Sequence, residues 1–459
     1  MAQIVKSSRG KTLLILENFA LFNDKVLKSG ELYWRYVKKN VKCSANVFTV
    51  GPEFTISRKN LNHNYEADEK KLNRTIISNS CKRKAEDDIS EKPSKIIRRE
   101  LSSNLPQTMT TTDVEYVRRN IYNYRCKLLP GPLPKNITEV HSAVEKLNHK
   151  TGKGECFLYI NSPEHNIIVF SCDSNIRVMC DMNIFYMDGT FSYSAKYFLQ
   201  MFTIHGFKNG HYVPLAYCLL PSKSTDTYIN LFSLLRSKMF NQFNVIFKPS
   251  EVYVDFEKAI HNALYFTWPN IKINGCRFHL HQAWFRKIQA LCLISEFNNR
   301  DSEIGRWIKH TFGITYLNPD ELEDCFVFDL MCYKPVNATL DKYADYLLDV
   351  YIDKDSQFPP TMWSDGSPSI FQTTNACESF HSRFNSSPYS SHPAIYVFIE
   401  KLKEFQIDTY IKIQSLYVPA RIKDAKVKNK LNFLVDIVHR FRSNQITRLD
   451  FVKCVSYYS

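Results

Sequence analysis

Alternation of apolar and polar positions, the pattern of a strand with one buried face, marks two regions of the chain. In residues 9–65 it recurs in the runs LLILENFALF, ELYWRYVK and ANVFTV, which are separated by turn signals at Ser29-Gly30 and Gly51-Pro52. These runs predict a small β module over residues 1–65.

The second region, residues 155–295, combines strand-like runs with helical periodicity. Six runs rich in β-branched and aromatic residues predict strands: CFLYIN, IIVFSC, IFYMDGTF, YFLQMFTIHGF, HYVPLAYCLLP and EVYVDFE. The runs TDTYINLFSLLRSKMF and FEKAIHNALYFTW predict amphipathic helices. From IFYMDGTF onward the order is three strands, a helix, a fourth strand and a helix, which predicts an α/β fold with a mixed sheet covered by helices.

The remaining segments lack strand periodicity. Residues 66–110 are polar, charged and free of aromatic residues, which predicts a basic, disordered linker with little to bury. Residues 111–154 predict a helical segment ahead of the α/β region, and residues 296–375 are mostly helical in pattern. Residues 411–459 predict a basic helical tail.

The composition is that of a globular chain. Of its 459 residues 44% are apolar and 14% aromatic, which argues against wholesale disorder or a fibrous repeat. No stretch approaches the ~18 consecutive apolar residues of a membrane span, and the start MAQIVKSSRGK lacks the apolar region of a signal peptide. The 13 cysteines, an odd number, predict reduced thiols and therefore the cytosol or the nucleus.

Positive charge is concentrated at the two ends of the chain. Residues 1–110 hold 21 basic and 12 acidic side chains, residues 111–400 hold 27 and 29, and residues 401–459 hold 12 and 5. Basic ends around a near-neutral centre suit a polyanionic partner, although solubilising lysines explain the charge equally well. Within the predicted linker, Lys82-Arg83-Lys84 and Arg98-Arg99 form a candidate bipartite nuclear-import signal; a solvated linker is the alternative.

Two aspartates stand where apolar runs end. Asp188 closes IFYMD ahead of Gly189-Thr190, and Asp255 closes EVYVD just before a predicted helix. Sites in open α/β sheets form at strand ends, so the two carboxylates are expected on neighbouring strands. Each could instead cap the turn or helix that follows it.

Glu378, in TTNACESFH, is the candidate for a third carboxylate on a later element. Phosphoryl transfer with two Mg²⁺ ions requires several oxygen ligands, and Asp188, Asp255 and Glu378 would supply them. Glu257 competes for this role, and both glutamates could simply be acids in the first turn of a helix.

A thiol and an imidazole stand three residues apart at Cys276 and His279. This spacing is half of a zinc site, which Cys377 and His381 could complete if the segments meet. The alternative is a buried cysteine with a histidine bonded to the backbone or to phosphate.

Five separated motifs together resemble the transposases of Mutator-like elements (MULE). They are MDGTF at Asp188, YFLQMFTIHGFKNGHYVPLAYCLLPSKSTDTY, VDFEKA at Asp255, GCRFHLHQA and TTNACESFH at Glu378, in order over residues 155–410. The resemblance implies an RNase H-like catalytic core with a helical insertion over about 296–375. It also implies that Asp188, Asp255 and Glu378 bind Mg²⁺ or Mn²⁺, and that Cys276 and His279 form the Cys-x-x-His motif of the family.

The N-terminal module resembles a FLYWCH zinc finger in SSRGKTLLILENFALF, YWRYVKKNVKCSANV and LNHN. The resemblance implies four zinc ligands, but tyrosine and leucine stand at two of these positions, at Tyr36 and Leu61. Only Cys43 and His63 remain, too few for a closed tetrahedral site, so Trp34 and other apolar residues must hold this fold together. Candidate contacts to DNA are Lys38, Lys39, Lys42 and His381.

Three functions follow from these observations. The first is a nuclear DDE transposase that cleaves and joins DNA ends with two metal ions and works as a homo-oligomer. The second is a catalytically inactive, domesticated DNA-binding or transcription regulatory protein. The third is an RNase H-like nuclease that acts on RNA or on a hybrid.

Overall fold

The computed structural model describes residues 3–7, 10–36, 43–64, 66–103, 105–191, 193–366, 375–386, 391–421 and 424–457. The chain divides into two compact units. The first is formed mainly by residues 1–133, and the second by residues 134–386 and 391–459.

The first unit begins with an antiparallel sheet whose six strands follow one another in chain order. The strands are β1 (Gln3–Lys6), β2 (Thr12–Leu16), β3 (Phe19–Val26), β4 (Leu32–Tyr36), β5 (Asn46–Val50) and β6 (Thr55–Asn60). Trp34 is fully buried in the sheet core, and its indole Nε1 donates to Thr49 Oγ1 at 2.8 Å. The predicted turns at Gly30 and Gly51 both have positive φ, as tight hairpin connections require.

The predicted linker over residues 66–110 is helical, and the prediction of disorder was wrong. It forms α1 (Glu69–Asp87) and α2 (Pro93–Ser103), which pack with α3 (Thr111–Leu128). Ile77, Cys81 and Ala85 recur every four residues on α1 and are buried against the isoleucines of α2. Because two of these α1 residues are small, the apolar stripe contributes little to the average hydrophobicity that suggested a linker. Lys84 of the candidate import signal pairs with Glu100 at 2.6 Å.

The second unit is built on a seven-stranded mixed sheet. Its strands are β7 (Leu158–Ser162), β8 (Ile167–Phe170), β9 (Ile184–Thr190), β10 (Gln200–Lys208), β11 (His211–Leu220), β12 (Glu251–Val254) and β13 (Lys272–Gly275). Helices α4 (Ile137–Glu145), α5 (Asp173–Cys180), α6 (Thr225–Phe243) and α7 (Lys258–Thr267) belong to the same α/β region. All six predicted strands and both predicted helices are present; β13, α5 and a helix over Arg277–Ala290 are additional.

The strand order is β13-β12-β9-β10-β11-β8-β7. β12 lies between β9 and β13 and runs parallel to both, whereas β10, β11, β8 and β7 form antiparallel pairs. The carboxyl ends of β9, β12 and β13 therefore meet at one edge of the sheet, where sites of α/β proteins form.

The chain after β13 is mostly helical, as predicted. It comprises α8 (Arg277–Ala290), α9 (Ile294–Asn298), α10 (Glu303–Gly313), α11 (Pro319–Asp324), α12 (Ala338–Leu347), α13 (Asn375–Ser386), α14 (Ile395–Ser415), α15 (Ala425–Arg442) and α16 (Arg448–Ser456). The region predicted as a tail is helical, but it is not peripheral, because Leu434, Phe451 and Val452 are buried in the same core as Trp284 and Trp307. Among the described residues, no helix is both long and apolar enough to cross a membrane.

Candidate active site

Asp188 and Asp255 lie side by side at the ends of parallel strands. Tyr186 of β9 pairs with Tyr253 of β12, and each aspartate follows two residues beyond its tyrosine. The equal offset places the two carboxylates at the same level of neighbouring strands, as the sequence predicted. The Asp188 side chain is 11% exposed and that of Asp255 is 49% exposed, so the second carboxylate is the more open to solvent.

Glu378 enters the same place from the first turn of α13, and its side chain is 29% exposed. With Asp188 and Asp255 it lines a cavity of about 620 Å³. Three distant segments of the chain therefore contribute carboxylates to a single cavity. Glu257, the competing acid, pairs instead with Lys223 at 3.4 Å.

His279 lies between two of the three carboxylates. It stands in the first turn of α8, and its Nδ1 is 3.7 Å from Asp255 Oδ1 while its Nε2 is 3.1 Å from Glu378 Oε1. Burial alone would lower the pKa of His279. Hydrogen bonds with Cys276 and Glu378 and the charge of Asp255 outweigh burial and raise that pKa to about 11. The raised pKa favours the protonated imidazole between Asp255 and Glu378.

His381, predicted as a DNA contact, is buried, and both of its ring nitrogens contact other residues of the protein. Its Nδ1 lies 3.3 Å from Asp188 Oδ2 and its Nε2 lies 2.9 Å from Thr203 Oγ1. The Thr203 hydroxyl also donates to the backbone oxygen of Asp188 at 3.3 Å. Both ring nitrogens of His381 thus help to hold Asp188, and the contact of this histidine with DNA stays a prediction.

Lys223 and Arg286 bring positive charge to the cavity lined by the three acids, and Gln282 and Asn385 add polar groups. Arg286 Nη2 donates to Gln282 Oε1 at 2.7 Å. None of these four residues was predicted from the sequence, although a helical spacing carries a signal for three of them. Gln282 and Arg286 follow His279 by three and seven residues, and Asn385 follows Glu378 by seven, so each lies on the same helix face as a predicted residue.

The donor set of the cavity suits a hard divalent cation. Carboxylate oxygens are the ligands that Mg²⁺ and Mn²⁺ prefer, and three of them open into this cavity. His279 stands between Asp255 and Glu378, and among the described residues no group of three or more His, Cys, Asp or Glu is arranged to hold a metal ion.

The four residues predicted as candidate zinc ligands, Cys276, His279, Cys377 and His381, suit zinc poorly. Cys276 and Cys377 are fully buried, and burial, together with the charges of Asp188, Cys276 and Glu378, raises the pKa of Cys377 well above its ordinary value. Zinc binds the thiolate, and this thiol resists ionisation. His279 and His381 are directed to carboxylates instead.

In the N-terminal module the two remaining zinc-finger residues meet each other. Cys43 Sγ lies 3.7 Å from His63 Nδ1, and the His63 ring stacks on Phe19 with ring centroids 3.5 Å apart. Tyr36, at the position of a missing ligand, meets the His63 ring edge-on. The rings of Phe19 and Tyr36 therefore pack against the His63 imidazole. The predicted DNA contacts Lys38, Lys39 and Lys42 lie outside the described residues.

Residues 184–283 match the family model of the MULE transposase domain. The matched segment runs from β9 into α8 and contains Asp188, Asp255, Cys276 and His279. Glu378 lies outside it, so its place in the site rests on the geometry described above. The match indicates a transposase or a protein derived from one, and a transposase domain implies binding to DNA. A comparison with curated proteins gave no significant match.

Proposed function

We propose that this protein is a DDE-type transposase that cleaves and transfers DNA strands with divalent metal ions. The observation that carries the proposal is the convergence of Asp188, Asp255 and Glu378, from three separate elements, on one cavity. Acids that only cap separate turns or helices would not be expected to meet in one cavity. The match to a MULE transposase domain supplies the class of substrate.

Each group of the cavity has a role in this proposal. Asp188, Asp255 and Glu378 would hold Mg²⁺ or Mn²⁺, and bound ions would polarise the scissile phosphate and make water a stronger nucleophile. Lys223 and Arg286 would attract the phosphate backbone. His381 and Thr203 fix the Asp188 carboxylate on its strand, which keeps the geometry of the site constant.

His279 has a separate electrostatic role. Three carboxylates within one cavity repel one another, and a cation between Asp255 and Glu378 offsets that repulsion.

The test is cleavage of double-stranded DNA carrying candidate element ends, with Mg²⁺ and with Mn²⁺. Asp188→Asn, Asp255→Asn and Glu378→Gln should each abolish cleavage while DNA binding persists. The matched control is Asp181→Asn, because Asp181 is an exposed acid just before β9, at the opposite end of the strand from Asp188. Cleavage that survives Asp188→Asn would refute the assignment. Cleavage confined to RNA or to a hybrid would indicate the nuclease function.

A second candidate is a transposase-derived protein that binds DNA without cutting it. The observation that favours it is the position of the His279 imidazole, which contacts both Asp255 and Glu378. Calorimetric titration with Mn²⁺ separates the two functions. Heat of binding that is lost in Asp188→Asn and Glu378→Gln supports the enzyme, and the absence of Mn²⁺ binding in the parent protein supports the binder.

The proposed function implies partners, a cellular compartment and an oligomeric state. Its partners would be the ends of a transposable element and the target DNA, and its place of work would be the nucleus. Since two DNA ends must be joined to one target, we propose a homo-oligomer. We include in this proposal the RNase H-like architecture that the resemblance implies. We do not include a bound zinc ion.

A further inference from the structure

An exposed aromatic ring lines the acidic cavity. Phe191 follows Asp188 by three residues, and 39% of its surface is exposed to solvent. Most of the other residues that line the cavity are polar or charged. A phenylalanine in such surroundings gains little from burial, so its ring is available to a ligand that presents a flat apolar face.

The ammonium group of Lys223 lies over the Phe191 ring. Lys223 Nζ lies 4.1 Å from the centroid of the Phe191 ring, which is within the range of a cation–π contact. The same ammonium pairs with Glu257 at 3.4 Å, which anchors it beside the ring. Phe191 and Lys223 thus form a pair in which an aromatic surface and a cation adjoin each other at the edge of the carboxylate site.

We propose that Phe191 and Lys223 form a nucleotide subsite, in which an unpaired base stacks on Phe191 and its phosphate pairs with Lys223. A nucleotide is the ligand that carries both a π face and an adjacent anion. The inference rests on the proposed function because it names the substrate of the same cavity: a DNA strand whose base is unstacked beside the phosphate to be cut. Stacking tolerates any base, so the subsite positions the strand without reading its sequence.

The test uses oligothymidylate containing one 2-aminopurine, without divalent metal, so that binding is measured apart from cleavage. Stacking on Phe191 should quench the 2-aminopurine fluorescence. Phe191→Leu keeps the apolar volume and removes the π face, so we expect it to abolish the quenching and to raise Kd by about 5- to 150-fold. Phe191→Trp should retain both properties. Lys223→Gln should weaken binding and reduce the slope of log Kd against log salt by about one.

The matched control is Phe240→Ala. Phe240 is 48% exposed near the end of α6, 15 residues and about 22 Å along the helix from Thr225, which lies close to Lys223 in sequence. This variant should bind and quench as the parent does. Parental quenching and Kd in Phe191→Leu would overturn the inference, and so would equal losses in Phe191→Leu and Phe240→Ala.

The outcomes also separate the subsite from the proposed function. Metal-dependent cleavage in the parent with an unchanged Phe191→Leu would refute the subsite and leave the enzyme in place. Quenching that depends on Phe191 in a protein that never cleaves would support the subsite and refute the catalytic function. A parent protein that neither cleaves nor quenches would refute both.

Discussion

Replacing Ile97 with alanine tests whether residues 66–110 are folded. Ile97 of α2 is 1% exposed and packs in one cluster with Ile77 of α1 and Ile121 of α3. The substitution deletes three carbon atoms, each worth about 0.8 kcal/mol when buried, and leaves part of their volume as a cavity. We therefore expect a loss of about 3 kcal/mol in the free energy of opening this cluster.

The assay is amide hydrogen exchange of the full chain, followed by mass spectrometry of peptides from α1, α2 and α3. In the parent protein these amides should be protected, because a disordered linker would exchange at the rate of a free peptide. A loss of about 3 kcal/mol should raise the opening constant of the cluster, and with it the exchange rate, about 150-fold. Peptides from β10 and β11 in the second unit should exchange as they do in the parent.

The control is Leu105→Ala in the same unit, because Leu105 is 69% exposed. Its removal should change the opening free energy by no more than about 0.5 kcal/mol. Unprotected amides over residues 69–103 of the parent would refute the packing argument and restore the disordered linker. So would a Leu105→Ala effect as large as that of Ile97→Ala.

Three further changes test the packing and titration of the second unit. Gly313→Ala should destabilise by about 1–3 kcal/mol in urea unfolding, because a β-carbon there would collide with the backbone oxygen of Val452. Gln406→Leu should cost about 1–3 kcal/mol, because Asn175 loses both hydrogen bonds of a buried reciprocal amide pair at 2.7 and 3.0 Å. Burial and nearby cations lower the pKa of His310 to about 4. Between pH 6.5 and 4 the histidine therefore binds a proton in the unfolded chain but not in the folded chain. The free energy of unfolding should fall over this range by at most about 1.4 kcal/mol per pH unit.

Each of these changes has its own control. Gly152→Ala should be neutral, since a β-carbon at Gly152 meets no atom within 4 Å. The double variant Asn175→Leu with Gln406→Leu should lose less than the sum of the single changes if the amides act as a pair. The acid sensitivity due to His310, whose Nδ1 lies 3.0 Å from Tyr333 Oη, should disappear in His310→Gln. Parallel pH curves for the parent and this variant would assign the acid sensitivity to other groups.

The strands of the second unit could be predicted because their patterns are long and strongly apolar. β10 and β11 are nine and ten residues long and almost entirely buried. β13 escaped prediction because its four residues, KING, contain a single apolar side chain, Ile273. Its place in the sheet comes from parallel pairing with β12, a tertiary contact that a local pattern does not encode.

The identity of the acids in the candidate site could be predicted from the sequence, but the contacts that other residues make with them could not. Asp188 and Asp255 could be predicted because a carboxylate after a buried strand is conspicuous and parallel strands end together. The contact between His381 and Asp188 spans 193 residues of sequence and depends on how α13 crosses the sheet. No spacing of residues within either segment could have indicated this contact.

Helix α13 contributes to the site through two residues one turn apart. Glu378 contacts His279, which in turn faces Asp255, and His381 contacts Asp188, so this one turn is linked to both strand-end acids. Each of the three carboxylates consequently has an imidazole as its neighbour. Three carboxylates in one cavity repel one another, and a protonated His279 offsets that repulsion between Asp255 and Glu378. Because one turn of α13 supplies both Glu378 and His381, the position of this turn determines how the third carboxylate meets the two strand-end acids.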